Sequence, residues 1–238
     1  EGLQRYGFDA AWANVLTNWL QTCLDRDLGG LRLSQLPSNN RIVEMEFYFD
    51  FSHLSAQVLN NALRMMGVKS RLNLHSDLIN NTNGGVIKGF IDLTFCHQNK
   101  YYVLDYKSNF LGDSAEDYQM LNLEEAMTDH NYHLQALVYI LALHRFLQSR
   151  IDSYEFDTHI GGAIYYFLRG VNKQEDSFLN SGVYHHKINK QTIEYLDNAL
   201  RNVVDENQQM VTGAAKLRKQ NNETADNTEQ MGFNFDEC

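Results

Sequence analysis

The apolar positions along this chain change their period several times, and each change marks an element. Between residues 8 and 24, Phe8, Trp12, Val15, Leu16, Trp19, Leu20 and Cys23 recur at helical spacing, which predicts an amphipathic helix with that face inward. Gly29 and Gly30 end the region. From Arg41 to Phe49 the period shortens to two, with Val43, Met45, Phe47 and Phe49 inward, the pattern of a strand. Ser52 is placed to cap a helix that runs through Met66 and closes at Gly67. The turn-rich segment from Asn80 to Gly85 leads into two β-branched and aromatic runs, residues 89–95 and 101–107, joined through Cys96 to Lys100. That arrangement predicts a hairpin.

Beyond Lys107 the pattern lapses. Residues 108–128 are mostly polar and acidic, and so long a connection inside a compact domain is often functional. Thr128 or Asp129 then caps a long helix reaching about Gln148, and residues 160–169 form a buried strand closed by Arg169-Gly170. Asn189 caps a last helix with Ile193, Leu196, Leu200 and Val203 inward. From about Val211 the chain is rich in Asn, Gln, Glu, Asp, Thr and Lys and has little apolar surface to bury. The expectation is one domain over residues 1–210 and a disordered polar tail over 211–238, with Phe233 and Phe235 unburied rather than a docking peptide. Helix, strand, helix, hairpin, helix, strand, helix is the order of an α/β domain: a mixed sheet flanked by helices.

Composition narrows this further. With 238 residues, 43% of them hydrophobic, the chain is long enough for one substantial core. No apolar run approaches the ~18 residues of a membrane span, so no membrane partner is expected. The three cysteines, Cys23, Cys96 and Cys238, are odd in number and widely spaced, which argues against a disulfide framework and fits a cytoplasmic protein. The formal net charge of −10 works against a surface that holds nucleic acid by charge alone.

The chemistry that stands out lies in the hairpin. Asp92 is inside its first strand, and Asp105 and Lys107 are near the end of the second. Side chains alternate along a strand, so Asp105 and Lys107 share a face while Tyr106 points the other way. Antiparallel pairing can bring Asp92 beside Asp105. A solvated outer strand face produces the same alternation, and from the hairpin alone the two readings stand even. The functional reading is a hard-cation site: Mg²⁺ takes oxygen ligands, one or two of them carboxylates, and keeps waters and room for a phosphate. A neighbouring lysine can place a water and offset charge developing on a phosphoryl group.

The order Asp, hairpin, Asp-x-Lys resembles the PD-(D/E)xK nuclease signature. The wording around it is similar to the RecB-type nuclease domain of exodeoxyribonuclease V. The matching blocks are Glu44-Met45-Glu46-Phe47-Tyr48, Lys88-Gly89-Phe90-Ile91-Asp92-Leu93, Leu104-Asp105-Tyr106-Lys107-Ser108-Asn109, His133-Leu134-Gln135 through Tyr139, Leu141 to Arg145, and Gly161 to Gly170. They run in the family's order and cover about residues 5–205. The resemblance implies a restriction-endonuclease-like fold and a Mg²⁺-dependent DNA exonuclease. It implies Asp92 and Asp105 as metal ligands, aided by the Tyr106 carbonyl, and Lys107 as the residue that orients the attacking water. Gln135 and Tyr139 match the family's Gln-x-x-x-Tyr helix and are expected to contact phosphate or hold Lys107.

Glu44 or Glu46 is a possible further acid; both even positions point the same way in a regular strand, and the sequence does not choose between them. The nine histidines show no tight metal-ligand spacing and read as surface or core polar residues. The cysteine spacing cannot supply the iron–sulfur cluster of some nuclease relatives. No Gly-x-x-x-x-Gly-Lys-Ser/Thr is present, so no ATPase motif lies here. The family's further histidine ligand sits on a helix upstream, before the point where this sequence starts. From that and the charge, the expectation for the chain alone is weak DNA binding and cleavage that is slow or absent.

The implied partners are single strands of DNA delivered by a helicase, RecC- and RecD-like subunits and a RecA-like recombinase, in double-strand-break repair. The alternative is a non-catalytic, nuclease-like module that survives as a docking surface for partner subunits or a recombinase.

Overall fold

The computed structural model describes residues 2–50, 55–68, 86–171 and 182–201. A five-stranded sheet organises them in the order β1 (Arg41–Asp50), β2 (Val86–His97), β3 (Lys100–Lys107), β4 (Ile160–Phe167), β5 (Val183–His186). All pairings are antiparallel except β3 with β4, so the sheet is mixed, as the sequence predicts. The helices are α1 (Gly2–Arg5), α2 (Trp12–Asp25), α3 (Ala56–Met65), α4 (Met120–Asp129), α5 (Tyr132–Gln148), α6 (Phe156–His159) and α7 (190–201). One face of the sheet is covered by α3, α4, α5 and α7; the other by Cys23 of α2 and the leucines at 28, 31, 33 and 36. The expected tail, its Phe233 and Phe235, Val203, the Asn80–Gly85 turn and Ser52 all lie outside the described residues.

Several elements depart from the pattern. The α3 cap is Ser55, whose hydroxyl accepts from the Val58 N–H at 3.3 Å. The hairpin turn is only Gln98 and Asn99, both left-handed (φ 51° and 62°), the two-residue turn that matches strand twist. Residues 108–128 are not a plain connection. A capping box between Ser114 and Asp117 starts a short 3-10 turn, and α4 follows with Leu123, Ala126 and Met127 buried. Its apolar positions are too few for a clear stripe, which hid it. Asn131 (φ 56°) breaks the chain between α4 and α5, so the long helix begins at Tyr132, not after Thr128 or Asp129. Strand β5 is too short to show a period of its own. Asn189 does cap the last helix, its side-chain oxygen accepting from the Thr192 N–H at 2.8 Å.

The largest correction concerns α2. Most of its predicted inward face is open: Trp12, Val15 and Leu20 are 49–55% exposed and Phe8 is exposed too, while Cys23 is buried and Trp19 packs half-buried against the second core. Helical spacing reports an apolar face; it does not report what covers it.

On the other face, α5 buries Ala136, Leu137, Ile140, Leu141 and Leu143 completely. Each such Leu or Ile contributes roughly 1.5–3 kcal/mol as an upper figure. Arg145 of α5 and Arg201 of α7 grip the Asp197 carboxylate from two sides at 2.5 and 2.6 Å, locking the two helices together.

Two tight features give separable predictions. Gly89 of β2 faces the buried Phe47 ring of β1 so closely that a Cβ there overlaps it. Phe47 in turn packs edge-on against Tyr139, with centroids 5.7 Å apart. Gly89→Ala is therefore expected to destabilise the fold by about 1–3 kcal/mol, read by thermal denaturation.

Between α5 and β5, His133 Nδ1 lies 3.0 Å from His186 Nε2, both rings buried. Glu124 of α4 approaches His133 at 3.4 Å and accepts from the Tyr184 hydroxyl at 2.5 Å. Burial, then the facing His133, push the His186 ring down to about 4. The unfolded chain, with an ordinary histidine near ~6.5, binds more protons between those values, so stability is full above that window and falls as pH drops through it. His186 contributes a loss of about 2 kcal/mol by pH 5, read in denaturant titrations, and His186→Gln is expected to reduce the loss to what His133, His144 and His185, also pushed down, contribute.

Candidate active site

The site is made where two strands turn over together. In β1 the Glu44 backbone is left-handed (φ 54°), and the alternation resets there: Met45 is inward but Val43 is 65% exposed. Opposite, Ile91 joins the helix-covered core while Leu93 joins the core on the other face. Asp92 lies at this reversal. It is also one step beyond Leu93↔Leu104, the last bonded pair of β2 with β3, so β2 leaves β3 at the aspartate. Asp92 turns into the gap, and its Oδ2 accepts the Tyr106 N–H at 2.8 Å.

Asp105 and Lys107 project from β3 toward α5, and Tyr106 packs into the opposite core near Tyr166, as strand alternation requires. Both charged residues are buried, at 5% and 9% exposure. Lys107 Nζ is 2.7 Å from Asp105 Oδ2 and donates to Gln135 Oε1 at 2.9 Å. The Gln135 amide donates to the Tyr139 hydroxyl at 2.8 Å; that hydroxyl lies 3.0 Å from the Phe90 carbonyl and 3.2 Å from Asp105 Oδ1. With one proton, Tyr139 serves one of those two acceptors at a time. Asp105, Lys107, Gln135 and Tyr139 thus form one ring of contacts between β3 and a single face of α5.

Glu46 is not in it. It pairs with Lys88 and Tyr48 on the outer face, and Lys88 holds its carboxyl below the usual carboxylate range. Glu44 is exposed. The left-handed turn at Glu44 removes the regular alternation on which their shared direction rested.

Residues that sequence reasoning passed over complete the lysine's surroundings. Lys107 Nζ sits 3.8 Å above the Tyr132 ring and 5.3 Å from that of Tyr165. The two rings stack at 5.6 Å, the Tyr165 hydroxyl donates to the Tyr132 carbonyl at 3.0 Å, and the Tyr132 hydroxyl donates to Asn109 at 3.1 Å. Tyr132 stands three positions before Gln135, hence on the same helical face, which was the one available signal.

Burial drives the Asp105 carboxyl above the usual range; Lys107 pulls it back, and the Asp92 charge adds to the rise. Burial, with the Asp105 charge behind it, drives the Tyr139 phenol well above its ordinary value, so it acts as a neutral hydroxyl. Two carboxylates against one ammonium leave an uncompensated negative charge in a half-closed gap. That is a setting a divalent cation relieves. Among the described residues no group of three or more His, Cys, Asp or Glu converges on a metal position. The charged oxygens that the described residues bring to the gap are the Asp92 and Asp105 carboxylates, the kind of donor a hard divalent cation takes.

A mixed sheet with Asp and Asp-x-Lys at a strand divergence defines a class. The chain belongs to the PD-(D/E)XK nuclease superfamily, whose family model matches residues 4–234. Within it the similarity runs to RecB-type nuclease domains. The RecBCD enzyme subunit RecB of Escherichia coli is 40% identical over 200 residues, 83% of this chain and 16% of that protein. The same subunit of Haemophilus influenzae is 36% identical over 199 residues, 82% of this chain and 16% of its own length. That of Mycobacterium tuberculosis is 46% identical over 88 residues, 37% of this chain and 8% of its own. The chain thus spans 16% of the length of the first two relatives.

Proposed function

We propose that this chain is a Mg²⁺-dependent DNA exonuclease domain that hydrolyses phosphodiester bonds of unwound strands. The observation that supports it best is the ring of buried contacts that fixes Asp105 and Lys107 beside Asp92. Charged groups held rigidly in a partly closed gap act on a reacting phosphate without reorganising first. Asp92, Asp105 and the Tyr106 carbonyl would hold the cation, which supplies positive charge for a phosphoryl oxygen that the protein's own groups cannot match. Lys107 orients the attacking water and faces the charge that develops on the phosphate. Gln135 and Tyr139 keep Lys107 and Asp105 in register, a positioning role, and Tyr132 carries the ammonium from below.

In this reading residues 1–210 are the nuclease domain. Its partners would be DNA and, by similarity to RecB subunits, RecC- and RecD-like proteins of a cytoplasmic repair complex. No helix among the described residues is long and apolar enough to cross a membrane. A docking role beside the catalytic one is favoured by the largely open apolar face of α2. The function is tested by following release of labelled nucleotides from single-stranded DNA with Mg²⁺, Mn²⁺ or a chelator. Metal-dependent release that the chelator stops and that Asp105→Ala abolishes is the expected result; release that persists with the chelator or in Asp105→Ala overturns the catalytic reading.

A further inference from the structure

On the solvent face of β1 and β2, Tyr48 and Lys88 stand directly across from each other, and Phe90 follows two positions after Lys88. Tyr48 is 57% and Phe90 48% exposed. Lys88 Nζ lies between the rings, 5.5 Å from the Tyr48 centroid and 5.0 Å from that of Phe90, and pairs with Glu46. Among the described residues no helix covers this part of the sheet.

The place is not arbitrary. The Phe90 carbonyl accepts from Tyr139, whose hydroxyl also reaches Asp105, so the backbone of Phe90 is fixed by the catalytic ring while its side chain faces water. Asp92 is two residues on, about 7 Å along the strand. Two open rings therefore sit beside the gap through the Phe90 backbone, on the sheet face opposite the one from which Asp105 and Lys107 project.

From this we infer that Tyr48 and Phe90, braced by Lys88, form a stacking shelf for unpaired bases of the strand entering the site. The inference rests on the nuclease reading and names the part of the substrate that the chain grips. Exposed aromatic faces accept any base, which suits degradation without sequence preference. Charge points the same way. Glu46 neutralises Lys88, so the shelf offers apolar ring surface rather than a net cation. With a formal net charge of −10, the chain cannot depend on long-range attraction of phosphates. Stacking does not release counterions, so this part of the affinity is insensitive to salt. A double helix keeps its bases stacked on each other and gains nothing from the shelf.

The test uses the full 238-residue chain with Ca²⁺ and an oligothymidine carrying 2-aminopurine near one end, together with an oligomer of abasic sites. The expected result is quenching of 2-aminopurine on binding. Phe90→Leu and Tyr48→Leu, which keep an apolar residue on the strand, lose the quenching and bind about tenfold more weakly at any salt concentration. All three proteins bind the abasic oligomer equally. Quenching and affinity that survive in Phe90→Leu overturn the shelf, as does an absence of quenching by the unaltered chain. Neither readout needs cleavage, so failure of the shelf is distinct from failure of the nuclease reading, which nucleotide release decides.

Discussion

Asp105→Asn is expected to lower metal-dependent DNA cleavage by at least ~10³-fold while leaving the fold intact, because it removes a proposed cation ligand worth several kcal/mol of transition-state charge stabilisation. The amide keeps the volume of the carboxyl and an oxygen for the Tyr139 hydroxyl, 3.2 Å away, so packing changes little. Asp92→Asn is expected to be as inert in cleavage, since in the proposed reading the same cation rests on both carboxylates. The two variants differ in stability without metal. Like charge between the aspartates alone makes either substitution stabilising. Asp105, however, also neutralises the buried Lys107 at 2.7 Å, and losing that partner costs stability. Asp92→Asn is therefore expected to melt above Asp105→Asn. Adding Ca²⁺ at about 100 times its Kd raises the melting temperature of the unaltered chain by roughly 5–10 °C and that of neither variant. Cleavage at the parental rate by either variant contradicts the assignment.

Lys107→Met is expected to slow cleavage by about 10²–10³-fold with divalent-cation binding retained. The lysine touches an Asp105 oxygen directly, so it competes with a cation for that carboxylate. Removing it leaves affinity for Ca²⁺ equal or higher in calorimetry, and a lost affinity would make Lys107 part of the binding site itself. The rings beneath it sharpen the assignment. Tyr132 lies 3.8 Å from the ammonium, and a cation over an aromatic face is held by roughly 0.5–2 kcal/mol. Tyr132→Leu is expected to reduce cleavage by an intermediate factor, about 3–30-fold, and Tyr132→Phe, which keeps the ring, to restore most of it. Equal loss in the two variants would point to the hydroxyl and its bond to Asn109 instead.

By itself the sequence determined the α/β order, the hairpin, the long helix and which charged residues share a strand face. Those features are local. Period-two and period-3.6 patterns follow from backbone geometry, and Asp-x-Lys places two charges on one strand face whatever surrounds them. Gln135 and Tyr139, four apart, were bound to share a helix face.

What lies across the chain was not legible. That β2 leaves β3 at Asp92 depends on the paired reversal at Glu44, a left-handed residue no propensity signals, and it leaves Glu44 exposed and Glu46 paired with Lys88 on the outer face. The aromatic bed under Lys107 joins Tyr132 of α5 with Tyr165 of β4, residues brought together only when the helix lies on the sheet. The largely open face of α2 shows the same limit from the other side. Amphipathic spacing states that a surface is apolar, and only tertiary packing decides whether anything buries it. Local backbone geometry is written in neighbouring residues, whereas burial and the partners of a charge are set by surfaces that meet after folding.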